Sequence, residues 1–163
     1  MAHNEARQNA DGVWSKNVAL PGVLVPLLAT TTVTGDATTS TTAVTGLDPY
    51  SMATILLTLA SKTMDGGTTM DVYIQYSPDE GTTWDDIAHF AQVTSAALAD
   101  GTYVLFLNAY GGSSSVDRVT RNGSLAANSV LNVPWCDRLR VQYTSVNFAG
   151  ADTIDITVSA YMQ

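Results

Sequence analysis

The chain has 163 residues, enough for one domain with a core of its own. Hydrophobic residues make up 45% and charged residues 13%, and 15 Asp and Glu against 7 Lys and Arg give a net charge of −8. That balance argues against broad binding to nucleic acid or to an anionic membrane surface. The single Cys136 excludes an internal disulfide, and no apolar run reaches the length of a membrane span. Residues 1–9 are polar and lack the apolar segment of a secretory signal, so cytosolic synthesis is expected.

Residues 1–20 show no periodicity and read as an extended N-terminal arm ahead of a domain spanning 21–163. Such an arm is either a frayed terminus or a segment that orders on a neighbouring subunit, with Trp14 as its one large apolar anchor. Val23, Val25 and Leu27 alternate as in a strand, and Pro26 marks it as an edge or a bend. Residues 30–45 are rich in Thr, Ser and Ala and hold a Gly35-Asp36 turn, which predicts two short strands or one strand and a loop. Leu47-Asp48-Pro49-Tyr50 is a turn. Residues 52–61 form an apolar strand with Ala53, Ile55, Leu57 and Leu59 on one face.

Asp65-Gly66-Gly67 turns the chain into residues 69–77, where Met70, Val72, Ile74 and Tyr76 alternate with Asp71, Tyr73 and Gln75. This predicts a half-buried antiparallel strand, paired as a hairpin with 52–61 and presenting Tyr73 outward. Residues 84–93 form a further strand with Ile87 inward, and a short helical turn fits 95–99. Asp100-Gly101 leads into a strand carrying Tyr103, Leu105 and Leu107. Residues 110–128 are a long loop of Gly, Ser and Asn, and a short strand follows up to Pro134. Leu139, Val141 and Tyr143 alternate with Arg138, Arg140 and Gln142. Gly150-Ala151-Asp152 then turns into a strand with Ile154, Ile156, Val158 and Ala160 on one side, which predicts a second hairpin. The expected fold is all-β, an antiparallel β-sandwich or jelly roll of about eight strands.

One local pattern is specific. Ser77-Pro78-Asp79-Glu80-Gly81-Thr82-Thr83-Trp84 matches the Asp-box pattern S-x-D-x-G-x-T-W in full. There Ser77 and Asp79 satisfy turn backbone groups, Gly81 takes a positive φ and Trp84 packs under the turn, so the box is read as structural. Asp79, Glu80, Asp85 and Asp86 read as a solvated acidic loop, without calcium-loop spacing. His3 and His89 are the only histidines, and His89 reads as a strand residue rather than a general base. Cys136 beside Trp135 reads as a small buried residue. No catalytic or metal constellation follows from these spacings, and no cofactor is implied. Tyr50, Tyr73, Tyr76, Trp84, Tyr103, Tyr110 and Trp135 are either core packing or a sugar-binding platform.

The order of pieces from Met52 to Tyr161 resembles a group of small structural proteins of tailed bacteriophages. The pieces are Thr69-Met70-Asp71-Val72, then Gln75-Tyr76-Ser77-Pro78-Asp79-Glu80-Gly81-Thr82-Thr83-Trp84-Asp85-Asp86-Ile87, then Gly101-Thr102-Tyr103, Arg138-Leu139-Arg140-Val141 and Thr157-Val158-Ser159. Glu80 stands where that group carries Gly, and residues 110–128 are an insertion. The resemblance implies a capsid decoration (cement) protein, a homotrimer seated on the major capsid protein lattice at the virion surface, made in the host bacterial cytoplasm. It implies no nucleic-acid or membrane partner. The contact residues expected on that reading are Trp14 and Lys16 in the arm, Arg118 and Arg121 in the long loop, and Arg138 and Arg140 facing away from Leu139 and Val141. Two other classes fit the same sequence: a tail or baseplate protein with a carbohydrate-binding sandwich, and an accessory module of an enzyme.

Overall fold

The computed structural model describes residues 6–8, 14–16, 22–108, 120–121, 123, 125–131 and 137–163, with backbone alone at 6–8, 14–16, 108 and 120–121. Among these residues it is all β, with thirteen strands, more than the eight expected, and no helix. One sheet has four antiparallel strands in the order β3 (Val23–Val33), β13 (Thr153–Met162), β5 (Met52–Thr63) and β9 (Gly101–Asn108). The second has seven strands. Its main path is β10 (Thr120–Arg121), β7 (Asp85–His89), β6 (Thr69–Tyr76), β12 (Leu139–Val146) and β4 (Ala37–Ser40). Off that path, β11 (Ser129–Val130) pairs with β7 and β8 (Val93–Thr94) with β6. Nearer the N-terminus, β1 (Ala6–Gln8) and β2 (Trp14–Lys16) pair only with each other among the described strands.

Period-two alternation decides which side chains are inside. Ile55, Leu57 and Leu59 of β5 and Ile154, Ile156, Val158 and Ala160 of β13 form the inner face of the four-stranded sheet. Met70, Val72 and Ile74 of β6 and Leu139 and Val141 of β12 form the facing layer. All belong to one buried cluster, so the two sheets make a sandwich.

Both expected hairpins are corrected. β5 and β6 lie in different sheets, and so do β12 and β13. The segments 64–68 and 147–152 are arches that carry the chain across the core, and 34–36 is a third, between β3 and β4. Alternation marks the buried face of a strand but not its hydrogen-bond partner: the same apolar face fits beside a neighbour in one sheet or across the core from the other. The arches are laced by side chains. Asp152 Oδ1 accepts from Asp65 N at 2.7 Å, and its Oδ2 accepts from Ala149 N and from Thr68 Oγ1, both at 3.0 Å. The backbone donors of Ala149 and Asp65, with Thr68, hold the Asp152 carboxyl below the usual carboxylate range against its desolvation. Asn147 Nδ2 donates to Gly67 O at 3.1 Å, and Phe148 N donates to Asp36 Oδ1 at 2.7 Å, which ties in the third arch.

The helical turn expected at 95–99 is absent. Residues 95–98 are a bend, and Lys62 Nζ sits under it, 2.8 Å from Leu98 O, 2.9 Å from Thr94 O and 3.1 Å from Ala97 O. A half-buried ammonium with carbonyl partners replaces the internal bonds a helix would have made.

Candidate functional site

The residues that alternate with the core on the four-stranded sheet build its outer face. Register sets Leu24, Tyr161, Thr54 and Phe106 in one row across all four strands. The next row is Pro26, Ser159, Leu56 and Val104. Phe106 is 70% exposed, Leu24 61% and Val104 50%, with Met52 and Tyr161 also open. Further along the strands the face turns polar and carries a single charge. Thr157, Thr58 and Thr102 form a row, Thr30 Oγ1 lies 2.8 Å from Thr157 Oγ1, and Thr58 Oγ1 lies 3.1 Å from Thr102 Oγ1. Asp155, hydrogen-bonded by Thr32, is the one charged side chain among the described outward positions of these strands. Two rows across four strands span roughly 300 Å², the size of the largest apolar patch on a typical monomer, which is often functional. The chain enters this face across Tyr161: a Cβ on Gly22 would collide with the Tyr161 ring and its hydroxyl.

The Asp box makes a tight turn between β6 and β7. Gly81 N donates to Ser77 Oγ at 2.6 Å, and Thr83 N to Asp79 Oδ1 at 2.7 Å. Ser77 Oγ and Thr83 Oγ1 also donate to Asp79, and Trp84 Nε1 donates to Gly81 O at 3.2 Å. The Thr83 amide leads in holding the Asp79 carboxyl below its usual range. Gly81 has φ +99°, and Glu80 has φ +57°. A side chain in that left-handed region costs about 1–2 kcal/mol. Glu80→Gly is therefore expected to raise unfolding free energy by about 0.5–1 kcal/mol, after the added entropy of an unfolded glycine. Urea titration checks it. A loss of stability would show that the Glu80 side chain has a role the turn geometry does not reveal.

Arg138 and Arg140 flank this turn. Arg138 Nη1 donates to Glu80 O at 2.7 Å, and its Nε lies 3.4 Å from Asp137 Oδ2. Arg140 Nε donates to Gln75 Oε1 at 2.8 Å, and its guanidinium lies 4.2 Å from the Trp84 ring centroid, in cation–π range. Both arginines hold the box to β12.

On the outer side of the seven-stranded sheet a polar cluster is buried, and here three expectations are corrected. Tyr73 lies on the outer side of the sheet as expected, but it is covered there and only 6% exposed, so it cannot serve as a sugar platform. Asp85 and Asp86 are 2% and 0% exposed, not part of a solvated loop, although Asp79 and Glu80 are exposed. β6 is covered on both faces, not half-buried. The cover is the stretch that holds Gly123 and Leu125. Asp86 Oδ1 accepts from Gln75 Nε2 at 2.8 Å and from Gly123 N at 3.0 Å, while its Oδ2 accepts from Leu125 N at 3.2 Å. His89 Nδ1 lies 2.7 Å from Leu125 O and its Nε2 3.0 Å from Asp71 Oδ1. The imidazole stacks on Tyr73 at 4.0 Å between centroids. Burial, then the charges of Asp71 and Asp86, push the Tyr73 phenol up to about 12. At Asp71 burial acts upward, but hydrogen bonds from His89 and Gln92 outweigh it and leave the carboxyl below its ordinary value. Asp86 and His89 bond the backbone of Gly123 and Leu125 directly, and Gln75 and Asp71 brace them from beneath, so the geometry is that of a clasp.

The expected contact residues do not gather at one place. Arg138 and Arg140 share the Asp-box turn. Trp14 and Lys16 lie in β2, and Arg121 in β10 with its Cα opposite Asp85. Arg118, Tyr110, Trp135 and Cys136 fall outside the described residues. The apolar outer face went unread in the sequence, although Leu56, Val104 and Phe106, between core positions of two strands, were its signal. Among the described residues no group of three or more His, Cys, Asp and Glu side chains could hold a metal ion. No protein-family model matches the chain, and no curated protein and no solved structure matches it.

Proposed function

We propose that this chain is a virion structural protein, a capsid decoration protein that binds the major capsid protein lattice and stabilises the head from its outer surface. One observation carries the reading: a neutral, apolar sheet face on a body of net charge −8. Such a face is of use when it is covered in an assembly and a solubility burden when it is not. The motif order from Met52 to Tyr161 supplies the kind of assembly. The remaining features agree with a part that is placed rather than one that turns over substrate. A sandwich laced at its arches and clasped on its second sheet is rigid, and a rigid body binds a lattice with little ordering cost. Binding only the assembled lattice stabilises that state by mass action.

Quantitative mass spectrometry of purified particles tests the reading through copy number. A count comparable to the major shell protein is expected. A count of a few to a few dozen would overturn decoration and place the chain at a tail or vertex. In the same particles Leu24→Lys, at an exposed position of the apolar face, is expected to lower occupancy at least tenfold, the effect of about 1.4 kcal/mol or more at a desolvated contact.

A further inference from the structure

An open sheet edge is a template for pairing, and most edges in this sandwich carry a device against it. β4 is four residues long, and β10 and β11 are two residues each. β3 is long, but Pro26 within it has no N–H to donate, and its register with β13 shifts between Ile156 and Ser159. β9 carries no such device. It runs eight residues without proline or charge, in unbroken register with β5, and no described strand pairs with its other side. Its outward side chains Val104 and Phe106 are 50% and 70% exposed. A cavity of about 300 Å³ runs beside the same strand, lined in part by Tyr103, Leu105, Phe90 and Val130.

We propose that two copies of this chain pair β9 to β9, antiparallel, across a two-fold axis. An identical strand running the other way satisfies the unpaired N–H and C=O groups of both copies at once. The register that sets Val104 opposite the second copy's Phe106 puts both exposed side chains into cross-strand pairs and centres the axis on Leu105. The four-stranded sheet then continues as one of eight, and the apolar rows continue with it. Charge does not oppose that edge. Two bodies at −8 each repel, and β9 brings no charged side chain of its own to the seam. A ring built from β9 and β3 would need Pro26 to donate a ladder hydrogen bond that it lacks. A two-fold pair is a different assembly from the trimer implied by the phage resemblance, and it does not rest on the virion reading.

Sedimentation velocity of the full chain over a range of concentrations tests the pair. The expected mass is twice 17.2 kDa, with a return to 17.2 kDa in Val104→Lys. Leu24→Lys lies on the same outer face but on the far edge strand, and is expected to leave the pair intact. A monomer at every concentration, a trimer, or a pair lost in Leu24→Lys would each overturn edge pairing, the last in favour of face-to-face packing. Hydrogen exchange of the wild-type chain decides the matter without a variant. The β9 amides are expected to slow at least tenfold as concentration rises through the association range, and exchange independent of concentration would overturn the proposal. Loss of Leu24→Lys from particles with the pair retained would leave both proposals standing. A wild-type copy number too low for decoration would remove the virion role alone.

Discussion

Asp86→Ala is expected to lose about 3–5 kcal/mol of folding stability, the largest effect of any single polar substitution among the described residues. The carboxylate accepts from Gln75, Gly123 and Leu125, and it is wholly buried. Truncation strands three donors away from water, each at roughly 1–3 kcal/mol before relaxation. Relaxation has one route: the covering segment lifts and lets water in. The amides of Gly123 and Leu125 should therefore exchange faster in the variant under conditions where the core strands stay protected. Asp86→Asn keeps one acceptor but sets an amide N–H against a backbone N–H, and is expected to lose about 2 kcal/mol. Urea unfolding and hydrogen exchange together check both. If Asp86→Ala lost stability while the Gly123 and Leu125 amides stayed protected, the clasp would not be what holds that segment.

Ile156→Ala and Phe106→Ala should separate the inner from the outer side of one sheet. Ile156 is fully buried in β13, with β3 on one side and β5 on the other. Its truncation creates a cavity between two stiff sheets and is expected to lose about 3–5 kcal/mol. Phe106 is 70% exposed, and at a concentration too low for association its truncation should change stability by less than about 0.5 kcal/mol. A large aromatic side chain with no part in folding stability is the behaviour expected of a contact residue. Chemical denaturation at low protein concentration gives both values. A loss above about 1 kcal/mol for Phe106→Ala would show that the residue packs within its own chain, and would remove the main support for the outer face as a docking surface.

Local chemistry was legible wherever it was short-range. The Asp box from Ser77 to Trp84 could be read because its partners lie within four residues of one another, so spacing alone specifies the turn. The inner faces of β5, β6, β12 and β13 could be read from alternation, because each strand shows one side to the core. Tyr73, Asp85 and Asp86 were misread for the opposite reason. Their burial depends on a segment 37–52 positions further along the chain, and no pattern around residues 73–86 records it.

The sequence by itself therefore determined an all-β chain, its strand faces, its tight turn and the acidic balance of its surface. Only the tertiary structure decided which strands share a sheet. It turned two apparent hairpins into arches across the core, because hydrogen-bond partners are chosen by the packing of two apolar faces and not by adjacency in the chain. The same choice left β9 as an open edge and aligned Leu24, Tyr161 and Phe106, distant in sequence, into one exposed row. Cross-strand register alone brings them together, and register is a property of the assembled sheet.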